Sequence, residues 1–160
     1  MAKPDPMIAM LLDLIDEAFD RAAWHGPTLR GALRGVTAAQ AAWRPGRGRH
    51  NIRELTLHAA YWKYAVRHRL GGAPRGSFAL EGSNWFDATA SRTWADDVRL
   101  LVDEHRQLRA VIAAYPPGAL RKAVDAKKQT AVFTIRGIAA HDLYHAGQIQ
   151  LLKRLNGTRE

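Results

Sequence analysis

The feature that most limits the fold is the spacing of apolar residues, which recur every three or four positions through four long stretches of the chain. From Met7 to Ala22 they fall at Ile8, Leu11, Leu12, Ile15, Ala18, Phe19 and Ala22, with Asp13, Asp16, Glu17, Asp20 and Arg21 between them. That is one face of an amphipathic helix, interrupted by His25, Gly26 and Pro27. TLRGAL and AAQAAW read as shorter helical pieces, the second opened by Thr37 and Gln40 at capping-box spacing, and RPGRGR at 44–49 reads as a loop. A second long helix opens at Asn51, with Glu54 three residues on, and runs to Leu70 before Gly71 and Gly72. A third begins at Thr93 and Asp96, carries Trp94, Val98, Leu101, Val102, Leu108 and Ile112 on one face, and closes at Pro116 and Pro117. The β-branched run TAVFTI suits a short strand, but Thr134 also suits the N-cap of a last helix over about 135–155, closed by Asn156 and Gly157. The cap is the reading adopted.

Four long helices without a convincing strand make the chain all-α, and a four-helix bundle is the architecture they are expected to build. Its 160 residues suffice for one core, and no repeat or change of composition divides them, so 1–160 is expected to be a single domain. Residues 71–92, rich in Gly, Ser, Pro and Asn, are too long for a tight helical hairpin and long enough to cross over the bundle.

Two histidines four apart, His141 and His145, stand in GIAAHDLYHAGQIQLLKRLNG. On a helix such residues differ by roughly 40° and stack one turn above the other, so their side chains can converge. Ile138, Ile149 and Leu152 share the stripe, which turns the pair inward. The pair reads either as hydrogen-bonded core or as two metal ligands. The metalloprotease pattern H-E-x-x-H fits poorly, because Asp142 is a methylene shorter than glutamate and only Glu160 lies downstream as a further ligand. A third ligand must then come from upstream. His58 is the best candidate, on the inward face of Ile52, Leu55, Ala59, Trp62 and Val66. Three imidazoles would leave coordination positions open, as catalytic metal sites do. His105, on the apolar face of the third helix, reads first as a core residue and second as a neighbour of the site. Gln148 and Tyr144 beside the pair, and Trp62 one turn after His58, are candidate pocket residues. Asp142 is expected to make a surface ion pair, and His25, His50 and His68 read as loop or basic-face residues.

Composition narrows the chemistry. The chain has no cysteine, which excludes thiolate ligands, a cysteine nucleophile and disulfides, and is compatible with the expected cytoplasmic location. The N-terminal run MIAMLL is interrupted by Asp13, Asp16 and Glu17, so neither a signal nor a membrane span is expected. Of the net charge of +9, much lies in residues 44–75, where Arg44, Arg47, Arg49, Arg53, Lys63, Arg67, Arg69 and Arg75 face only Glu54. Such a stretch attracts nucleic acid, an anionic membrane surface or a small acidic substrate, and its simplest reading is a solvated basic face.

With NIRELTLHAAYWK around His58, GIAAHDLYHAGQIQLLKRL around the histidine pair, and ALRGVTAAQAAWRP, the chain resembles the DinB-like (DinB/YfiT) superfamily of four-helix-bundle metalloenzymes over almost its whole length. The resemblance implies an up-down-down-up bundle whose 71–92 connection lets the second and third long helices run parallel. It also implies a divalent metal, zinc or nickel first and manganese or iron second, held by His58, His141 and His145. Relatives of this kind include transferases and isomerases that use bacillithiol, mycothiol or glutathione.

The leading functional expectation is therefore a metal-dependent enzyme, a thiol S-transferase acting on small electrophiles or else a hydrolase, with a small-molecule thiol as partner and a homodimer as the expected assembly. The alternative is a non-catalytic metal-binding or nucleic-acid-binding stress-response module. No nucleic-acid motif supports it, and Trp62 belongs to the inward stripe rather than to a stacking platform.

Overall fold

The computed structural model describes residues 5–74, 76–86 and 91–157; Arg75 of the basic stretch, part of the 71–92 connection and Glu160 lie outside them. Among the described residues the chain is all-helical: α1 (Pro6–Phe19), α2 (Leu29–Ala32), α3 (Ala38–Ala42), α4 (Ile52–Arg69), α5 (Trp94–Ala113) and α6 (Ala131–Gly157), with one 3-10 turn at Pro117–Ala119 and no strand.

Capping chemistry sets where these helices start. The boxes at Thr37 with Gln40, Asn51 with Glu54 and Thr93 with Asp96 are all formed, each N-cap side chain accepting from the N3 backbone while the N3 side chain reaches back. Asp5 does the same service for α1 by accepting from the Met7 and Ile8 amides ahead of Pro6. Helix α1 stops at Phe19, three residues short of the expected Ala22. Asp20, a poor helix former, leaves helical geometry at φ −149° and turns its carboxylate to Arg30 of α2. The last helix starts earlier than expected, because Thr130, not Thr134, caps it: the Thr130 hydroxyl accepts from the Phe133 amide, while Thr134 lies inside the first turn and donates to the Thr130 carbonyl. The helix also includes Asn156 and Gly157, the last of the described residues, neither of which adopts the left-handed conformation of a helix C-cap.

Helix α4 packs on α5 and α6, α1 on α6 and α5, and α2 on α6. The core divides into two apolar clusters, one around Phe19, Leu29, Ile52, Ala59, Leu101 and Ile149, the other around Ile8, Leu11, Val66, Leu108, Ile112 and Ile135. Charge is buried alongside them. Lys63 of α4, 1% exposed, forms an ion pair with Asp142 of α6, 0% exposed, and its Nζ sits 4.8 Å from the centre of the Phe19 ring. The same ammonium donates to His105 Nδ1 of α5 at 3.4 Å, and His105 Nε2 donates to Asp16 of α1, also at 3.4 Å. Each of the four long helices contributes one member to this chain. Asp142 is thus not at the surface: it is fully buried, and its lysine partner arrives from the facing helix.

The basic stretch is not a free basic face either. Arg44 pairs with Glu54, Arg53 with Asp97, Lys63 with Asp142 and Arg67 with Glu104, while Arg69 lies 3.9 Å from Asp125. The connection after α4 is fastened by aromatic rings, with Tyr61 and Tyr64 of α4 meeting Phe78 and the buried Phe86 at centroid distances of 5.3–5.5 Å. At Gly72 an added Cβ would stand 2.1 Å from a methyl of Val111, so the end of α4 touches the end of α5 at a point only glycine permits.

Candidate metal centre

His58 lies two turns into α4, its phase set by the Asn51 cap, and His141 and His145 occupy adjacent turns of α6. The three imidazoles converge: His141 Nε2 is 3.1 Å from His58 Nε2 and 3.0 Å from His145 Nε2, and one nitrogen of each lies within 4.8 Å of the others. Hydrogen bonds on the far side of two rings fix their tautomers. His58 Nδ1 donates to the Asn84 carbonyl at 2.7 Å, and His145 Nδ1 donates to Gln148 Oε1 at 2.7 Å. A neutral imidazole has one N–H, so both rings present a bare Nε2 lone pair to His141. His141 can offer a proton to only one of them, which leaves the other contact between two lone pairs. A cation resolves the conflict, since two nitrogens each about 2.0–2.1 Å from a metal sit roughly 3 Å apart. The donor set and its second-layer carbonyls therefore fit a divalent metal.

Electrostatics agree. Burial pushes His141 down to about 3, aided by Coulombic coupling to the imidazoles of His145 and His58 and to the Lys63 ammonium, and pushes His145 down to about 4 against the opposing bond to Gln148. Burial also lowers His58, with the Asn84 carbonyl opposing. All three rings are neutral near pH 7, the state in which imidazole binds metal.

The histidines open onto a cleft of about 670 Å³, lined also by Leu55, Trp85, Tyr144, Gln148 and Leu152, with Arg49 and His50 at its rim. Trp85 is stacked between His50, at 3.6 Å, and His58, at 4.0 Å. Of the residues singled out in the sequence, Tyr144 and Gln148 line this cleft. Trp62 does not: it meets His58 edge-on at 6.3 Å and donates its indole N–H to Asn84 Oδ1. His105 stands in the interior, stacked at 3.8 Å on Phe19, and approaches the centre only through Lys63 and Asp142. Asn84, Trp85 and the cleft-facing role of His50 have no signal in helical periodicity. Only Asn84's left-handed backbone, φ 67°, marks it, and asparagine is the residue type that tolerates this.

A family model described as the DinB superfamily matches residues 21–149, a span that holds all three histidines. The chain is a member of the DinB superfamily. Neither the curated proteins nor the solved structures compared with this DinB-superfamily chain gave a match. No helix among the described residues is long and apolar enough to cross a membrane.

Two predictions follow from these contacts. Gln148→Ala frees the His145 ring and is expected to weaken metal affinity by about 10–100-fold, read by competition with a chromophoric chelator. His105→Ala is expected to cost about 1–3 kcal/mol of stability at pH 7.5 without changing metal content. That cost should shrink in acid. Burial, with Lys63, Arg109 and Arg30, holds His105 near 2 against 6.5 unfolded, so the unfolded chain takes up a proton that the folded chain refuses. Below pH 6.5 the native histidine therefore costs about 1.4 kcal/mol per pH unit, a penalty absent in the alanine variant. Urea unfolding at pH 7.5 and pH 5 reads the difference.

Proposed function

We propose that this chain is a single-domain, metal-dependent transferase that uses a small thiol as nucleophile against an electrophile. The carrying observation is the convergence of three Nε2 atoms whose opposing nitrogens, on His58 and His145, are tied to carbonyl oxygens. His58, His141 and His145 would hold zinc or nickel, and the bound cation would lower the pKa of a thiol so that thiolate forms near neutral pH. The chain's residues supply the rest. Asn84 and Gln148 keep the rings aimed, and Leu55, Trp85 and Leu152 wall the cleft against water. The absence of cysteine means the thiol must arrive with a cosubstrate.

The scaffold for this reading is an up-down-down-up four-helix bundle. Support comes from the order of cross-helix pairs. Arg53 meets Asp97 near the start of α4 and α5 and Arg67 meets Glu104 further along, an order suited to parallel helices. His58 with His141 and the shared cluster of Ile52 with Ile149 and Leu152 suit antiparallel α4 and α6. The nucleic-acid alternative loses its main ground, because Arg44, Arg53, Lys63, Arg67 and Arg69 of the basic stretch each lie within ion-pair distance of a carboxylate of the same chain.

The test is to react bacillithiol, mycothiol and glutathione with a model electrophile in the presence of metal-loaded protein, chelated protein and His141→Ala. Faster reaction of one thiol in the loaded sample alone is the expected result. Equal rates in all three samples for every thiol would overturn thiol transfer, and water would become the nucleophile to examine.

A further inference from the structure

The cleft over the three histidines has an unusual charge count. Its described lining contains no aspartate or glutamate: besides the histidines it is made of Pro45, Gly48, Arg49, His50, Leu55, Trp85, Tyr144, Gln148, Leu151 and Leu152. The imidazole ligands are neutral, so a divalent cation held there would keep its full charge. Arg49 adds another. Its neighbour Arg44 is neutralised by Glu54, which also accepts from the His50 ring, and Arg44 donates to the Arg49 backbone carbonyl at 2.6 Å. These bonds pin the loop at 44–50 onto the first turn of α4 and set Arg49 at the rim. Among the described residues the Arg49 guanidinium has no ion pair or hydrogen bond of its own, in contrast to Arg44, Arg53 and Arg67. Gln148, which accepts from His145 through Oε1, lines the same cleft and carries an amide nitrogen that can donate.

We infer that Arg49 is a specificity residue that selects cosubstrates carrying a carboxylate in addition to the group that reaches the metal. A guanidinium offers paired N–H donors that match a carboxylate in a planar, two-point geometry. A thiolate at the histidines and a carboxylate at Arg49 together supply the negative charge that the lining omits. Leu55, Leu151 and Leu152 give the same cleft apolar lining for a carbon chain. The inference rests on the thiol reading above and adds to it the anionic group and the residue that binds it.

The experiment uses cobalt-loaded protein titrated with 3-mercaptopropionate and with 2-mercaptoethanol, reading the sulfur-to-cobalt charge-transfer band rather than turnover. Wild-type protein is expected to bind the carboxylate-bearing thiol at least about tenfold more tightly. Arg49→Gln should bring the two affinities together by weakening only the acidic thiol, and Arg49→Lys should restore part of the preference. Circular dichroism and metal content check that the exposed loop substitution leaves the fold and the cobalt in place. Equal affinities in wild-type protein, or a preference that survives Arg49→Gln, overturn the inference while leaving thiol binding intact. Absence of the band with both thiols overturns the thiol reading and this inference with it.

Discussion

Chains carrying His58→Ala, His141→Ala or His145→Ala are expected to purify with background metal, whereas the unaltered protein and His68→Ala carry close to a full equivalent. Three nitrogens are the smallest ligand set common among catalytic zinc sites, and two adjacent imidazoles compete poorly with chelators and water. His68 is the fitting control, because its ring lies at the end of α4 and donates to the Ala73 carbonyl, away from the cluster. Elemental analysis of dialysed protein gives the stoichiometry. Thermal unfolding gives an independent reading: a metal present at about a thousand times its dissociation constant adds about 4 kcal/mol to stability, and the alanine variants should show no such gain. Equal metal in all four variants would dissolve the centre as described.

The second large effect is expected at Lys63, far from any solvent. Lys63→Met leaves Asp142 enclosed without its counter-charge, and breaking a buried pair from one side typically costs about 3–5 kcal/mol. That is a large share of the stability of about 5–15 kcal/mol usual for a domain. Burial already raises the Asp142 carboxyl to about 6 with Lys63 opposing, so the carboxylate depends on the ammonium for its charge. The double variant Lys63→Met with Asp142→Leu should recover much of the loss, because it removes both desolvated charges together. Urea denaturation of the two single variants and the double variant completes the cycle. A double variant no more stable than Lys63→Met alone would show that the ammonium acts through His105 and Phe19 rather than through Asp142.

The helices were legible because their causes are local. The pairs Thr37 with Gln40, Asn51 with Glu54 and Thr93 with Asp96 each lie within four residues, and all three boxes form as spaced. The start of α6 was misplaced by a few residues because Thr130 and Thr134 are the same residue type at each end of one turn, and only tertiary structure chooses between them. The three histidines could be brought together on paper because each shares a stripe with aliphatic residues that must face inward. Their hydrogen-bond partners could not all be found that way. Gln148 lies on the same helix as His145, but Asn84 reaches His58 from an irregular segment that follows no periodicity. Charge misled for a related reason. Residues 44–75 look unbalanced when read alone, yet their partners Asp97, Glu104 and Asp142 stand far along the chain.

His58 and His141 are separated by 83 positions, so the centre joins an early helix to the last described one. During synthesis the chain must expose α4, complete the crossover and α5, and release α6 before all three nitrogens can meet. A metal held by these three histidines would therefore be captured late, and would act as a seal on the finished fold rather than as a nucleus for it.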